Sequence, residues 1–426
     1  MNTENELRKT QSVSNSSGLN PYFAANILSR NRIASLWRVL FQLATVIGLI
    51  VLALLLYTVI NKSFGLVAIN NRVNPVTLAV NGVPIEELDK DALVNIVQNN
   101  VSKGKFRQLE REKPMLERTR DEVYSLVIGD VVQPHDIVGT WSLVDSILHR
   151  SAITSGVKQN NPNATVKFIS WIDPQFVSSP QSSDPLIAGV RTAVLGSLLT
   201  IAITILVAFP IGVGAAIYLV EYAQDNWVNR LLQTNITNLA GVPSIIYGML
   251  GLAIFVRELQ PLTSGAIFGL TDPTTANGRT ILSAGFTLAL LVLPILIING
   301  QEAIRAVPGS LRQASYGLGA TKWQTVWHHV LPSAIPGILT GTILAISRAI
   351  GETAPLVVIG ASTYITFDPN GPFSKFTTLP IQIYQWTSRP QGEFRNIAAA
   401  AILVLLVMLL TLNAAAVLLR NRYSRK

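Results

Sequence analysis

The chain has 426 residues, of which 49% are hydrophobic and only 13% charged, with a mean hydropathy of +0.40. A soluble domain carries about a quarter charged residues, so this composition excludes one large water-soluble enzyme and points to a chain that lives partly in lipid. The absence of cysteine removes thiol nucleophiles, thiolate metal sites, iron-sulfur clusters and disulfides together, and the net charge of +9 fits either nucleic acid or membrane flanks until its distribution is read.

Residues 1–38 form a polar N-terminal tail. Residues 39–60 are uncharged, and a helix of about 20 apolar residues spans a hydrocarbon core. No small-residue cleavage site follows, so this segment is predicted to be a retained first transmembrane helix. Residues 61–185 are polar with balanced charge and are predicted to form a mixed α+β extracytoplasmic insertion. Within it, residues 73–83 alternate and predict a strand pair around Asn81-Gly82, and residues 85–97 have helical spacing. Residues 103–123 predict a charge-rich helix interrupted by Pro114, and the proline- and serine-rich stretch 171–185 predicts a linker. Further spans are expected at 192–220, broken by Pro210, and at 231–256, 281–300, 335–361 and 397–419. The expectation is an all-α polytopic membrane protein of six helices, with a five-helix membrane domain over 186–419 and a basic tail at 420–426.

Six spans put both ends on one side. That side gathers Arg8, Lys9, Arg30, Arg32, Arg38, Arg230, Arg305, Arg312, Lys322, Arg420, Arg422, Arg425 and Lys426 against only Glu4, Glu6, Glu221, Asp225 and Glu302. The basic excess marks it as cytoplasmic. Because the excess is spread over membrane flanks and not gathered on one face, it does not describe a nucleic-acid surface.

No phosphate-cradling G-x-x-x-x-G-K-[ST] occurs, and the four histidines (His135, His149, His328, His329) fall in no zinc-ligand spacing. No catalytic residue, metal site or cofactor of its own is therefore expected. Asn163-Ala164-Thr165 matches a glycosylation sequon, a pattern common by chance. The cytoplasmic segment 302–336 is polar enough to leave the bilayer, with Leu311, Ala314 and Leu318 at helical spacing. Gly317 and Gly319 then allow a sharp turn before a second short helix ending at Leu331-Pro332. Such a helical elbow is a docking element or an interfacial loop on headgroups.

Gln313-Ala314-Ser315, then Gly319, then Leu331-Pro332 keep the spacing of the loop by which permease subunits of ABC importers engage their ATPases, with Gln313, Ser315 and His329 departing from the usual glutamate, alanine and isoleucine. Segments 240–256, 302–308, 318–326, 331–356 and 379–391, in this order, resemble the phosphate-specific ABC importer permease (PstA) family. The resemblance covers about 184–422 and implies a type I ABC importer permease core in a bacterial inner membrane. It also implies a second homologous permease of the PstC type, an ATPase dimer of the PstB type that uses ATP and Mg, and a periplasmic phosphate-binding protein of the PstS type. The rival substrates are other oxyanions, phosphonate or molybdate. The rival mechanism is a secondary transporter or channel independent of ATP. The 61–185 insertion is longer than the family's loop.

Arg348 and Glu352 form the one acid-base pair well inside a predicted span, four residues apart and so on one helix face. A central arginine costs roughly 2.5–3.5 kcal/mol on insertion scales, so it faces protein or an aqueous path. Its planar fork suits phosphate oxygens, and the alternative is a structural ion pair locking two helices. Gly351, Thr353 and Pro355 add backbone irregularity that suits a cavity. Ser244, in Gly241-Val242-Pro243-Ser244, serves either substrate contact or a packed kink. Gly337 and Gly341 predict close helix approach, Arg191 an interface anchor, and Tyr384, Trp386 and Arg389 either an entrance lining or an aromatic belt.

Overall fold

The computed structural model describes residues 21–71, 73, 75–80, 83–132, 134–162, 164–270, 278–361 and 364–424. The predicted turn Asn81-Gly82 and the sequon at Asn163 lie outside the described residues. The chain divides into two units, 1–59 and 60–426. Helix α1 (Pro21–Ser63) begins in the first, and its stretch Ile33–Ser63 is long and apolar enough to cross a membrane. The aliphatic side chains along 39–55 are exposed in this chain, as lipid contact requires.

After α1 comes a three-stranded antiparallel sheet in which β1 (Phe64–Asn71) lies between β2 (Pro134–Thr140) and β3 (Ala164–Ser170). Successive strand side chains face opposite sides. On β1, Leu66 and Ala68 meet Ile153 and Val157 of α6 (Arg150–Asn160), with Ala164 beside them. Val67 and Ile69 face the other way, onto Trp171, Phe176 and Val190. Both faces are covered, so β1 reads as a continuous apolar run and the alternation test passes over it.

Among the described residues the strand pair expected at 73–83 is reduced to an antiparallel bridge between Val80 and Val83, and Pro75–Leu78 is a 3-10 turn, where Pro75 has no N–H to give a ladder. The expected helix over 85–97 starts later, as α2 (Lys90–Asn100), where Asp89 accepts from the Ala92 N–H at 3.1 Å. Ile85 and Leu88 are buried from a turn before it. The charge-rich stretch breaks as expected into α3 (Lys103–Glu112) and α4 (Arg120–Leu126) on either side of Pro114. Thr119 and Glu122 cap α4 reciprocally, and the Lys113 ammonium at 2.8 Å, with the Thr119 N–H, holds the Glu122 carboxyl below its usual range. These helices close a small core of their own around Leu93, Val97, Val123 and Val127.

The 171–185 stretch is not a bare linker. It carries the short helix Pro174–Ser178, with Trp171 and Phe176 buried, because Asp173 caps its first turn and the aromatic pair has a core to enter.

The membrane domain comprises four long apolar helices: Arg191–Tyr222, Ile281–Arg305, Lys322–Gly351 and Glu393–Arg422. A broken pair, Trp227–Ala240 and Ser244–Glu258, bends by 105° where Gly241-Val242-Pro243 frees the backbone. The single third span expected at 231–256 is thus two pieces. Among the described residues there are, with α1, five membrane-length helices, or six if the bent pair counts as one span.

Helix packing in lipid rests on close approach more than on apolar burial. A Cβ at Gly341 would lie 2.4 Å from the Asn299 Cβ, so the helix carrying Gly341 and the helix Ile281–Arg305 touch almost backbone to backbone, as the Gly337/Gly341 spacing predicts. Replacing Gly341 by leucine should push these helices apart at a cost of about 1–3 kcal/mol. Thermal inactivation of the detergent-purified chain should then fall by several degrees, whereas Gly309→Ala, which meets nothing within 4 Å, should leave it unchanged.

Candidate functional site

Two constellations stand out in the membrane domain. The first is the elbow between the helices Ile281–Arg305 and Lys322–Gly351. Helix α12 (Gly309–Gly317) ends in a Schellman turn: the Ala320 N–H donates to the Ser315 carbonyl at 3.2 Å and the Gly319 N–H to the Tyr316 carbonyl at 2.9 Å. Gly319 sits at φ 82°, as that turn requires. Thr321 and Gln324 then cap the next helix reciprocally.

The second elbow helix does not end at Leu331-Pro332. It runs through a π-helical turn, Val326–Val330, into the long helix up to Gly351. Proline collides with the carbonyl four residues back in a regular helix, and the wider turn displaces that carbonyl. The apolar stripe also differs from expectation. Leu311 packs inward, but Leu318 is 90% exposed, and Ser315 takes the inner position instead. Its hydroxyl lies 2.9 Å from that of Thr325, which also donates to the Thr321 carbonyl at 3.0 Å. This bond gives the serine in the alanine position a physical reason. Gln313 and Ala314 face outward beside Tyr316, Leu318 and the stacked pair Trp323–Trp327, whose centroids are 5.4 Å apart.

Sequence reasoning missed the strut beneath this surface. Arg312 donates to Glu221 at 2.7 Å and to the carbonyls of Ile304 and Val307 at 3.0 and 2.8 Å. The Glu221 side chain is nearly inaccessible. Arg312 thereby ties the elbow to the C-terminal end of the helix Arg191–Tyr222. Counting Arg312 and Glu221 only as flank charges concealed their pairing.

The second constellation is Arg348 with Glu352. The Arg348 Nε donates to the Glu352 carboxylate at 3.2 Å, with the arginine side chain 42% and the glutamate 16% exposed. The helix ends at Gly351, so Glu352 lies beyond it as an extended cap residue and not within a span reaching 361. Thr353 opens a separate short helix, α15 (Ala354–Ile359). Pro355 lacks the N–H that would continue the ladder, which ends the regular helix here. Arg348 stands in the last turn, where the helix dipole favours a cation.

The break is held by the bent pair. Ser244 begins α10 (Ser244–Gly251), and a Cβ at Gly248 would lie 2.6 Å from the Pro355 Cα. Ser244 is thus one turn from the contact with α15, half-buried, and makes no hydrogen bond to Arg348 or Glu352. Tyr247, from the same helix, packs with Ala345 and Ala349 and donates to the Leu239 carbonyl at 2.7 Å. The one phenol in the segment 231–256 is the signal available for it.

The outer residues separate. Trp386 is fully buried against Phe176, centroids 6.1 Å apart, and lines neither an entrance nor an interfacial belt, because the sheet and its following helix cover it. Tyr384 is exposed, and Arg389 stacks over Phe394 at 4.1 Å. Arg191 is anchored to Asp368 at 3.0 Å and to the Ser178 carbonyl at 2.8 Å. Among the described residues no group of three metal-ligating side chains gathers.

The family of binding-protein-dependent transport system inner membrane components matches residues 208–425. The chain is 33% identical over 262 residues to the probable ABC transporter permease protein YqgI of Bacillus subtilis (strain 168), covering 58% of this chain and 83% of the relative. It is 36% identical over 240 residues to the phosphate transport system permease protein PstA 1 of Mycobacterium tuberculosis (strain CDC 1551 / Oshkosh), covering 56% and 72%. To the phosphate transport system permease protein PstC of Pasteurella multocida (strain Pm70) it is 32% identical over 257 residues, covering 56% and 76%. The matched stretch contains both the elbow and the Arg348–Glu352 break. The chain belongs to the inner membrane components of binding-protein-dependent transport systems and, among them, to the PstA-type ABC permeases.

Proposed function

We propose that this chain is the permease subunit of an ATP-driven inorganic phosphate importer. The observation that carries the reading is the Arg348 guanidinium at a broken helix. Among the described residues only its Nε is engaged, so the two terminal nitrogens are left to meet an oxyanion in a planar fork. The names of the PstA relatives support phosphate over phosphonate or molybdate. Arg348, Glu352, Thr353 and Ser244 line the substrate path in this reading. Gln313, Ala314, Ser315, Gly319, Leu331 and Pro332 belong to the ATPase coupling loop.

The same reading makes the bent pair one span, giving six, with both termini cytoplasmic and 61–185 outside. The partners are a homologous permease of the PstC type, which would close the other half of the path, two ATPase subunits of the PstB type that bind ATP and Mg, and a phosphate-binding protein of the PstS type. The chain itself would bind no cofactor and catalyse nothing. The test is reconstitution: proteoliposomes holding the assembled complex, with binding protein added, should take up labelled phosphate only when ATP is present on the ATPase side. Equal uptake without ATP would make the chain a secondary transporter or channel, and uptake of molybdate with exclusion of phosphate would move the substrate.

A further inference from the structure

Helix α5 (Leu143–Leu148) is fastened to Asn61 and to β1. The Val144 N–H donates to the Asn61 Oδ1 at 2.9 Å, and the Leu66 N–H donates to the Ser146 Oγ at 2.7 Å. Asn61 is the first polar side chain after the apolar run of 39–60, so it marks the level at which the chain leaves hydrocarbon. Leu148 is four residues beyond Val144, about 6 Å along a helix. The headgroup layer is itself about 5–8 Å deep on each side.

At that level the chain exposes two neighbouring aliphatic side chains, Ile147 at 68% and Leu148 at 70%. They flank an open groove of about 660 Å³ that continues along α6 between Arg150, Ser151, Thr154, Ser155 and Lys158. The opposite face of α6 is committed to the sheet through Ile153 and Val157. The groove therefore combines an apolar end at Ile147 and Leu148 with two cations and three hydroxyls along the same face of α6. Asp145, the nearby acid, accepts from the Ser142 hydroxyl at 2.6 Å at the start of α5.

We propose that this elbow is a lipid seat: Ile147 and Leu148 enter the outer headgroup layer, and Arg150 and Lys158 take the phosphates of anionic lipids. The charge pattern matches that of interfacial segments, which join an apolar edge to a basic rim. The seat fixes the insertion against the bilayer. The inference rests on α1 crossing the membrane and is independent of which solute the permease carries.

The absence of native cysteine makes the test direct. The full chain carrying Leu148→Cys, labelled with an environment-sensitive fluorophore, is placed in nanodiscs of phosphatidylcholine with or without one third phosphatidylglycerol. Leu116→Cys is the reference, because Leu116 is 90% exposed in the helical lobe entered from the far end of β1. Headgroup-level nitroxide lipids should quench the label at 148 at least threefold more than the label at 116, and more strongly with phosphatidylglycerol. Arg150→Gln with Lys158→Gln should erase that anionic increment while the chain keeps its thermal stability. Equal quenching at the two positions would overturn the proposal, as would quenching indifferent to phosphatidylglycerol. Shielding at 148 only after the binding protein is added would also overturn it, by making the elbow a protein dock.

Discussion

Arg348→Lys should leave the complex assembled yet lower ATP-driven phosphate uptake ten- to a hundredfold. Arginine's Nε meets Glu352 at 3.2 Å, which leaves the terminal nitrogens as a parallel pair of donors. A lysine keeps the positive charge and can still reach the glutamate, but it offers a point charge where the oxyanion needs a fork. Losing a hydrogen bond to a charged partner costs about 1.5–3 kcal/mol, which sets the expected range. If the pair is only a strut, lysine should preserve transport, and Arg348→Gln combined with Glu352→Gln should assemble better than either single variant. An unpaired charge in a fully buried site costs about 3–5 kcal/mol. With Arg348 at 42% exposure, the single neutral variants should lose less than that. The four variants are scored separately for assembled complex and for uptake. Full uptake in the lysine or the double-neutral variant would remove Arg348 from the substrate path.

The membrane segments were legible because lipid imposes one strong rule, a long uncharged run, and the helices at 191–222, 281–305 and 393–422 obey it. What escaped was decided by contacts between distant segments. The sheet strand at 64–71 is apolar on both faces because the α6 side and Trp171, Phe176 and Val190 cover it, and no local pattern announces that. The bend at 241–243 was readable as an irregularity but not as a 105° turn, since Pro355 receives Gly248 from a hundred residues away. Arg348 and Glu352 were paired by spacing alone. The break between them and α15 follows from Gly351 and Pro355, which end the regular helix although the apolar run continues to residue 361. Likewise the serine in the elbow's alanine position becomes intelligible only once Thr325 is seen 2.9 Å away.

Gly319→Val should uncouple ATP hydrolysis from uptake, while Gly319→Asn should retain most of the coupling. The glycine stands at φ 82°, and a Cβ built there meets nothing within 4 Å. The constraint is therefore the backbone's left-handed conformation and not a lack of space. An ordinary L-residue pays about 1–2 kcal/mol for that conformation, a β-branched one more, and asparagine least. Valine would open the Schellman turn and with it the angle between α12 and the helix that continues to Arg348. That angle sets how the exposed Tyr316 and Leu318 stand relative to the exposed, stacked Trp323 and Trp327, so the proposed ATPase dock should lose shape before it loses charge. Gln313→Glu, on an exposed neutral position, should accordingly be tolerated. The measurement is ATP hydrolysed per phosphate transported, together with recovery of the ATPase on the purified permease. If the valine variant kept both at the level of the unaltered chain, the elbow would not be the element through which hydrolysis drives transport.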